Sequence, residues 1–140
     1  MVAYNKFNLT VEDLAKAVDN LSTDAIKLML TNTAPVAANH LYTDVSGTEL
    51  ASGNGYTTGG ATVSGTGVSN ASGVESIAGS PVTWTSVTGT MGPFRYAILY
   101  DSTSGKLLGW WDYGSALSLN GANGDTFTAT PAGSVLFTIT

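Results

Sequence analysis

Phe94-Arg-Tyr-Ala-Ile-Leu-Tyr100, then Asp101-Ser-Thr-Ser-Gly105, then Lys106-Leu-Leu-Gly-Trp-Trp-Asp-Tyr113 is the stretch that decides the fold class of this chain. Phe94, Tyr96, Ile98 and Tyr100 occupy alternate positions, which is the signature of one face of a β-strand. The short polar segment 101–105 ends in glycine and separates two strong strands, as a hairpin loop does. Trp110 and Trp111 are adjacent, so on a strand they point to opposite faces. Either one fills the core while the other faces outward, or both are buried because a second layer covers the strand.

Outward from this hairpin the chain continues as strand and turn. Val135, Phe137 and Ile139 repeat the alternation. Further short strands are expected at Ala61–Ser69, Val74–Ala78, Val82–Val87, Ala116–Leu119 and Thr126–Thr130. Short strands at intervals of ~8–12 residues with Gly-rich turns point to a sandwich or barrel; the fold expected is mainly β, an antiparallel β-sandwich (jelly-roll-like). One short N-terminal helix is expected over Thr10–Leu21. There Val11, Leu14, Ala15, Val18 and Leu21 make one apolar stripe, Thr10 is placed to cap it, and Leu9 is placed to staple onto Leu14. Ala25–Thr31 reads as a half-buried strand with Ile26, Leu28 and Leu30 inward and Lys27, Met29 and Thr31 outward. Val36–Gly60 carries few apolar anchors, and Ser52–Gly60 reads as a long surface loop that is functional or mobile. The expected organisation is an N-terminal arm, 1–9, and a single sandwich domain, 10–140.

Composition narrows function by what is missing. The 140 residues hold no cysteine and one histidine; 11% are charged, 43% are hydrophobic and 17 are glycine. Without cysteine there are no disulfides and no thiolate ligands or nucleophiles. The net charge of −5 and the scattered Lys6, Lys16, Lys27, Arg95 and Lys106 argue against nucleic acid. No apolar run approaches the ~20 residues of a membrane span. The first ten residues lack a charged leader with an apolar h-region, so the mature protein is expected to begin at its own Met1.

The remaining motifs favour plain readings. Gly53-Asn-Gly55 with Gly59-Gly60 lacks the following helix and the lysine of a phosphate loop. His40 has no nucleophile elbow and no second histidine, so it reads as a structural or surface residue. The carboxylates sit at capping and loop positions, and no calcium-loop spacing is present. No catalytic residue, cofactor or metal ligand is expected, and the chain does not read as an enzyme. The candidates for contact with another protein are Tyr4, Phe7 and Leu9 of the arm, together with Arg95, Trp110, Trp111 and Tyr113. Buried aromatics and arginine are the residue types that dominate interfaces. The arm could dock on its own domain or on a neighbour.

With these residues in view, the chain resembles a group of small tailed-bacteriophage virion proteins. The resemblance runs over nearly the whole length. It rests on Tyr4-Asn-Lys-Phe-Asn8, Ile26-Lys-Leu-Met-Leu-Thr-Asn-Thr-Ala-Pro35, Gly53-Asn-Gly-Tyr56, Met91-Gly-Pro-Phe-Arg-Tyr96 and Gly109-Trp-Trp-Asp-Tyr-Gly114. It implies a structural part of a phage particle, most like a capsid decoration (cement) protein on the capsid surface, made in the host bacterial cytoplasm. The partners it implies are the major capsid protein and further copies of this chain, as dimer or trimer. A small tail or tail-fibre component is the alternative, and a carbohydrate-binding sandwich module a more distant one.

Overall fold

Strands β7 (Thr90–Asp101) and β8 (Lys106–Asn120) form the expected hairpin, longer than the sequence suggests. The computed structural model describes residues 2–131 and 133–139; Met1 of the expected arm and Ala132 and Thr140 of the expected domain lie outside them. The two segments expected at 106–113 and 116–119 are one strand. It bends at Gly114, whose φ of 83° a side-chain-bearing residue rarely adopts. Pairing between β7 and β8 shifts register near Phe94 and near Leu99, and such irregularities sharpen the local twist.

This hairpin is the centre of a five-stranded antiparallel sheet. β2 (Ile26–Thr31) pairs with β7, and β3 (Ala61–Thr62) pairs with the far side of β2. On the opposite edge β1 (Tyr4–Lys6) pairs with β8, placing Tyr4 opposite Trp111 and Lys6 opposite Gly109. The sheet order is thus β1-β8-β7-β2-β3. Two smaller antiparallel sheets complete the β structure. One joins β4 (Gly67–Ala71), β5 (Val74–Ala78) and β10 (Val135–Ile139); the other joins β6 (Val82–Thr85) and β9 (Thr126–Ala129).

The smaller sheets cover one face of the large one. Leu28, Leu30, Ala97, Leu99 and Leu108 of the large sheet form a single core with Ile77, Val82, Trp84, Phe127, Leu136 and Phe137. Cross-strand neighbours share a face, so Met29, Ile98 and Trp110 point the other way. That face is buried too, beneath Phe7, Val45 and Tyr42.

Three expectations change as a result. β2 is not half-buried: Met29 and Thr31, read as outward, are covered by the segments that precede and follow the strand. The helix is shorter. α1 spans Thr10–Ala15 and ends before Ala17, whose φ of 56° breaks the helical path. Val11 and Val18 of the supposed stripe are exposed, and Thr10 does not cap. Instead its hydroxyl donates to the Leu108 carbonyl at 2.8 Å, tying α1 to β8. Third, the 36–60 region contains a further short helix, α2 (Tyr42–Val45), whose Tyr42 and Val45 pack on this second face, while Leu50 and Tyr56 reach the first core.

Hydrogen bonds hold that layer where apolar anchors are few. The Glu49 carboxylate accepts from the Tyr42 and Tyr56 hydroxyls, each at 2.6 Å, and from the Gly59 N–H at 2.7 Å. Tyr100 donates to the Gly59 carbonyl at 2.6 Å. Burial and the adjacent Glu49 charge push both Tyr42 and Tyr56 well above the ordinary phenol range, and burial pushes Tyr100 up to about 12. All three phenols therefore remain protonated donors.

Candidate functional site

Tyr4 is held between β8 and β10 by three contacts that the absence of a side chain at Gly109 makes possible. Its hydroxyl donates to the Leu108 carbonyl at 2.8 Å. Its ring stacks on Phe137 with centroids 4.9 Å apart, and a tilted contact to Trp111 lies at 5.3 Å. A Cβ on Gly109 would come within 2.2 Å of the Tyr4 ring, so only glycine leaves room for it. Burial raises the Tyr4 phenol far above its usual range.

Beside this ring, between the β1–β8 edge and the two smaller sheets, lies a half-open cleft of about 460 Å³. Its size falls in the range of ligand and peptide pockets, roughly 300–1,000 Å³. Tyr4, Trp111 and Tyr113 form the aromatic wall; Val82, Val135 and Leu136 face them. The polar side chains on its lining are hydroxyls, Ser80, Thr128, Thr130 and that of Tyr4 among them, and no Asp, Glu, Lys, Arg or His contributes. Tyr113 is fixed edge-on to Phe127 at 5.0 Å, and burial raises its phenol. Such a surface offers apolar area and a few weak hydrogen-bond groups.

The structure therefore brings together three of the seven expected contact residues: Tyr4, Trp111 and Tyr113. Phe7 and Trp110 meet one another on the opposite face of the sheet, ring centroids 4.6 Å apart. Phe7 is completely buried within its own chain, so it cannot serve as an external contact. Leu9 is 37% exposed and stands apart beside α1. Arg95 makes a bidentate pair with Asp112 at 2.7 and 2.8 Å, and it lies over the Tyr96 ring. That pair holds the Asp112 carboxyl below its ordinary range. Of the two docking options for the arm, the structure shows the first: residues 2–9 sit on their own domain. Both tryptophans are partly buried, Trp111 packed on the core shared with the smaller sheets and Trp110 beneath Phe7.

Val82, Val135 and Leu136 of the cleft were missed by the sequence reading. Alternation put Val135, Phe137 and Ile139 on one face and said nothing of Leu136. The signal available was the unbroken run Val135-Leu136-Phe137, which marks a strand buried on both faces.

Several other polar groups have structural partners. His40 Nε2 lies 2.6 Å from the buried Asp13 Oδ2, joining the 36–50 layer to α1, and no serine or threonine hydroxyl is bonded to it among the described residues. Glu12 pairs with Lys16, and Glu75 accepts from the Asn70 amide at 2.8 Å. No helix among the described residues is long and apolar enough to cross a membrane. Neither a family model, nor a curated protein, nor a solved structure matches this chain.

Proposed function

We propose that this chain is a structural protein of a phage virion, a capsid decoration protein that stabilises the shell by bridging capsomers without catalysing a reaction. The observation that carries the reading is the charge-free cleft in which Tyr4, Trp111 and Tyr113 converge. Aromatic side chains held rigid by their own packing lose little entropy on binding and bury a large area, which suits a contact with a protein segment. The low charge density supports the same reading, since charged residues are depleted in interface cores. A copy that engages two capsomers gains effective concentration for its second contact, so each contact can be modest. The partners are the major capsid protein and further copies of the chain. The jelly-roll-like form of the sandwich belongs to the same proposal and is supported by the face-to-face packing of smaller sheets on a larger one.

Cryo-EM of particles assembled with the protein tests this reading. Density repeated over capsid two-fold or three-fold positions, with the cleft turned toward the shell, is the expected result. Density confined to one vertex would instead make the chain a tail component. Absence from the particle would overturn the proposal. Trp111→Ala opens the cleft, and its occupancy on particles is expected to fall at least tenfold while the free protein stays folded.

A further inference from the structure

Asparagine is followed by glycine at three places in this chain, Asn54-Gly55, Asn120-Gly121 and Asn123-Gly124. In such a pair the glycine backbone nitrogen, uncrowded by a Cβ, can attack the side-chain amide carbon of the asparagine. A C–N bond forms, the bond to the side-chain nitrogen breaks, and ammonia leaves behind a five-membered succinimide. Water then opens the ring at either carbonyl, so the amide ends as aspartate or as isoaspartate. Water is the sole co-reactant. The asparagine side chain must be free to swing onto the next nitrogen, and the ring needs room to close.

Two of the three sites meet neither condition. The Asn54 amide donates to the Thr90 carbonyl at 2.9 Å, and its oxygen accepts the Thr88 hydroxyl at 3.4 Å. The next residue, Gly55, lies so close to Thr85 that a Cβ there would stand 2.0 Å from the Thr85 carbonyl oxygen. The Asn120 side-chain oxygen accepts the Ala122 N–H at 2.9 Å. Its neighbour Gly121 donates to the Gly89 carbonyl at 2.7 Å, and a Cβ on it would come within 2.5 Å of the Thr88 nitrogen.

Asn123 differs in each respect. It is exposed, and so is Gly124. The turn that carries the chain from β8 to β9 is held through its neighbours, by Asp125 N–H to the Asn120 carbonyl at 3.2 Å and Gly124 N–H to the Gly121 carbonyl at 3.1 Å. Among the described residues no hydrogen bond engages the Asn123 amide. A Cβ on Gly124 would meet nothing within 4 Å. The bond that has to open is the one from the Gly124 N–H, at the end of the single 3-10 turn Gly121–Asn123, and short exposed turns open at little cost.

We infer that Asn123 is a site of spontaneous deamidation in the folded protein, while the fold protects Asn54 and Asn120. The product sets a new carboxylate just ahead of Asp125, whose side chain accepts the Asn120 N–H at 2.9 Å. The isoaspartyl form also inserts a methylene into the main chain of the turn. This site is separate from the aromatic cleft and does not depend on the virion reading.

Holding the protein in mildly alkaline buffer at body temperature, folded and in concentrated urea, tests the inference, with fragment mass spectrometry locating each conversion of amide to acid. In the folded protein Asn123 is expected to convert roughly tenfold or more faster than Asn54 or Asn120, because each of those must first break its own hydrogen bonds. In urea the three rates are expected to draw together. Asn123→Gln, at an exposed position, should lose the fast conversion and leave the two slow ones unchanged. A folded protein in which Asn54 or Asn120 keeps pace with Asn123 overturns the inference. So does one in which Asn123 converts only after urea is added, since the turn then protects it as well. A gap that persists unchanged in urea overturns it equally, since the fold would then not be what separates the sites.

Discussion

The two faces of the five-stranded sheet are covered by different materials. One face meets two small sheets whose side chains interdigitate over most of its area but leave a cleft at the β1–β8 edge. The other meets segments with little regular structure, which seal it through Phe7, Val45 and the hydrogen-bonded ring around Glu49. Strand-on-strand packing is limited by the spacing of rigid pleats, so a mismatch at an edge persists as a gap. An irregular segment can follow the contour of a sheet, provided that its backbone and side-chain polar groups find partners. The sealed face is therefore the one that depends on polar contacts. The open one is apolar and available.

Replacing Phe7 by Ala should damage the sealed face most. Its ring is fully buried against Trp110, and unfolding in urea should show a loss of about 3–5 kcal/mol. If the loss were under about 1 kcal/mol, the covering layer would be dispensable and the contrast between faces would fail. Glu49→Gln comes next. It keeps the shape but removes the charge that accepts three donors, and a loss of about 2 kcal/mol is expected. Hydrogen exchange should rise over residues 42–59 and stay unchanged in β5 and β10. Gly109→Ala drives the Tyr4 ring off β8, with an expected cost of about 1–3 kcal/mol. It should also alter the cleft, visible as loss of the Tyr4–Trp111 contact in aromatic NMR spectra.

Asp101 gives a smaller effect with a definite sign. Burial and the neighbouring Asp24 raise its carboxyl to about 6. The folded state then holds a proton that the unfolded chain releases near the ordinary aspartate value. This contribution is complete below that value and is lost as pH rises through about 6, on the order of 1 kcal/mol. In Asp101→Asn, stability should be flatter across that interval. Arg95→Ala should change least. Its pair with Asp112 is a third exposed, and the denaturation midpoint should hardly move.

How much of this was legible beforehand varies with the physics that holds each part. β5 and β10 appear with the bounds that alternation assigns, because their apolar residues do the holding. The helix was overextended because Val11 and Val18 match a helical stripe that no partner covers, and Ala17 turns the chain away. The packing of 36–60 was not legible beyond its few apolar anchors and a loop over Ser52–Gly60, since a carboxylate shared among phenols leaves no periodic trace in a sequence. Three cleft residues, Tyr4, Trp111 and Tyr113, were picked out by type. Their convergence depends on β1 pairing across more than 100 positions, and no local pattern announces that.

That pairing carries a consequence for how the molecule is born. Tyr4 leaves the ribosome well before Leu108, whose carbonyl it bonds and which lies 104 positions later. At translation rates of about 5–20 residues per second, the aromatic segment of β1 waits roughly 5–20 s before its docking strand exists. During that interval Tyr4 and Phe7 have no home on their own chain. A nascent chain interrupted before β8 would thus display to the cytoplasm the greasy segment that the finished protein keeps hidden.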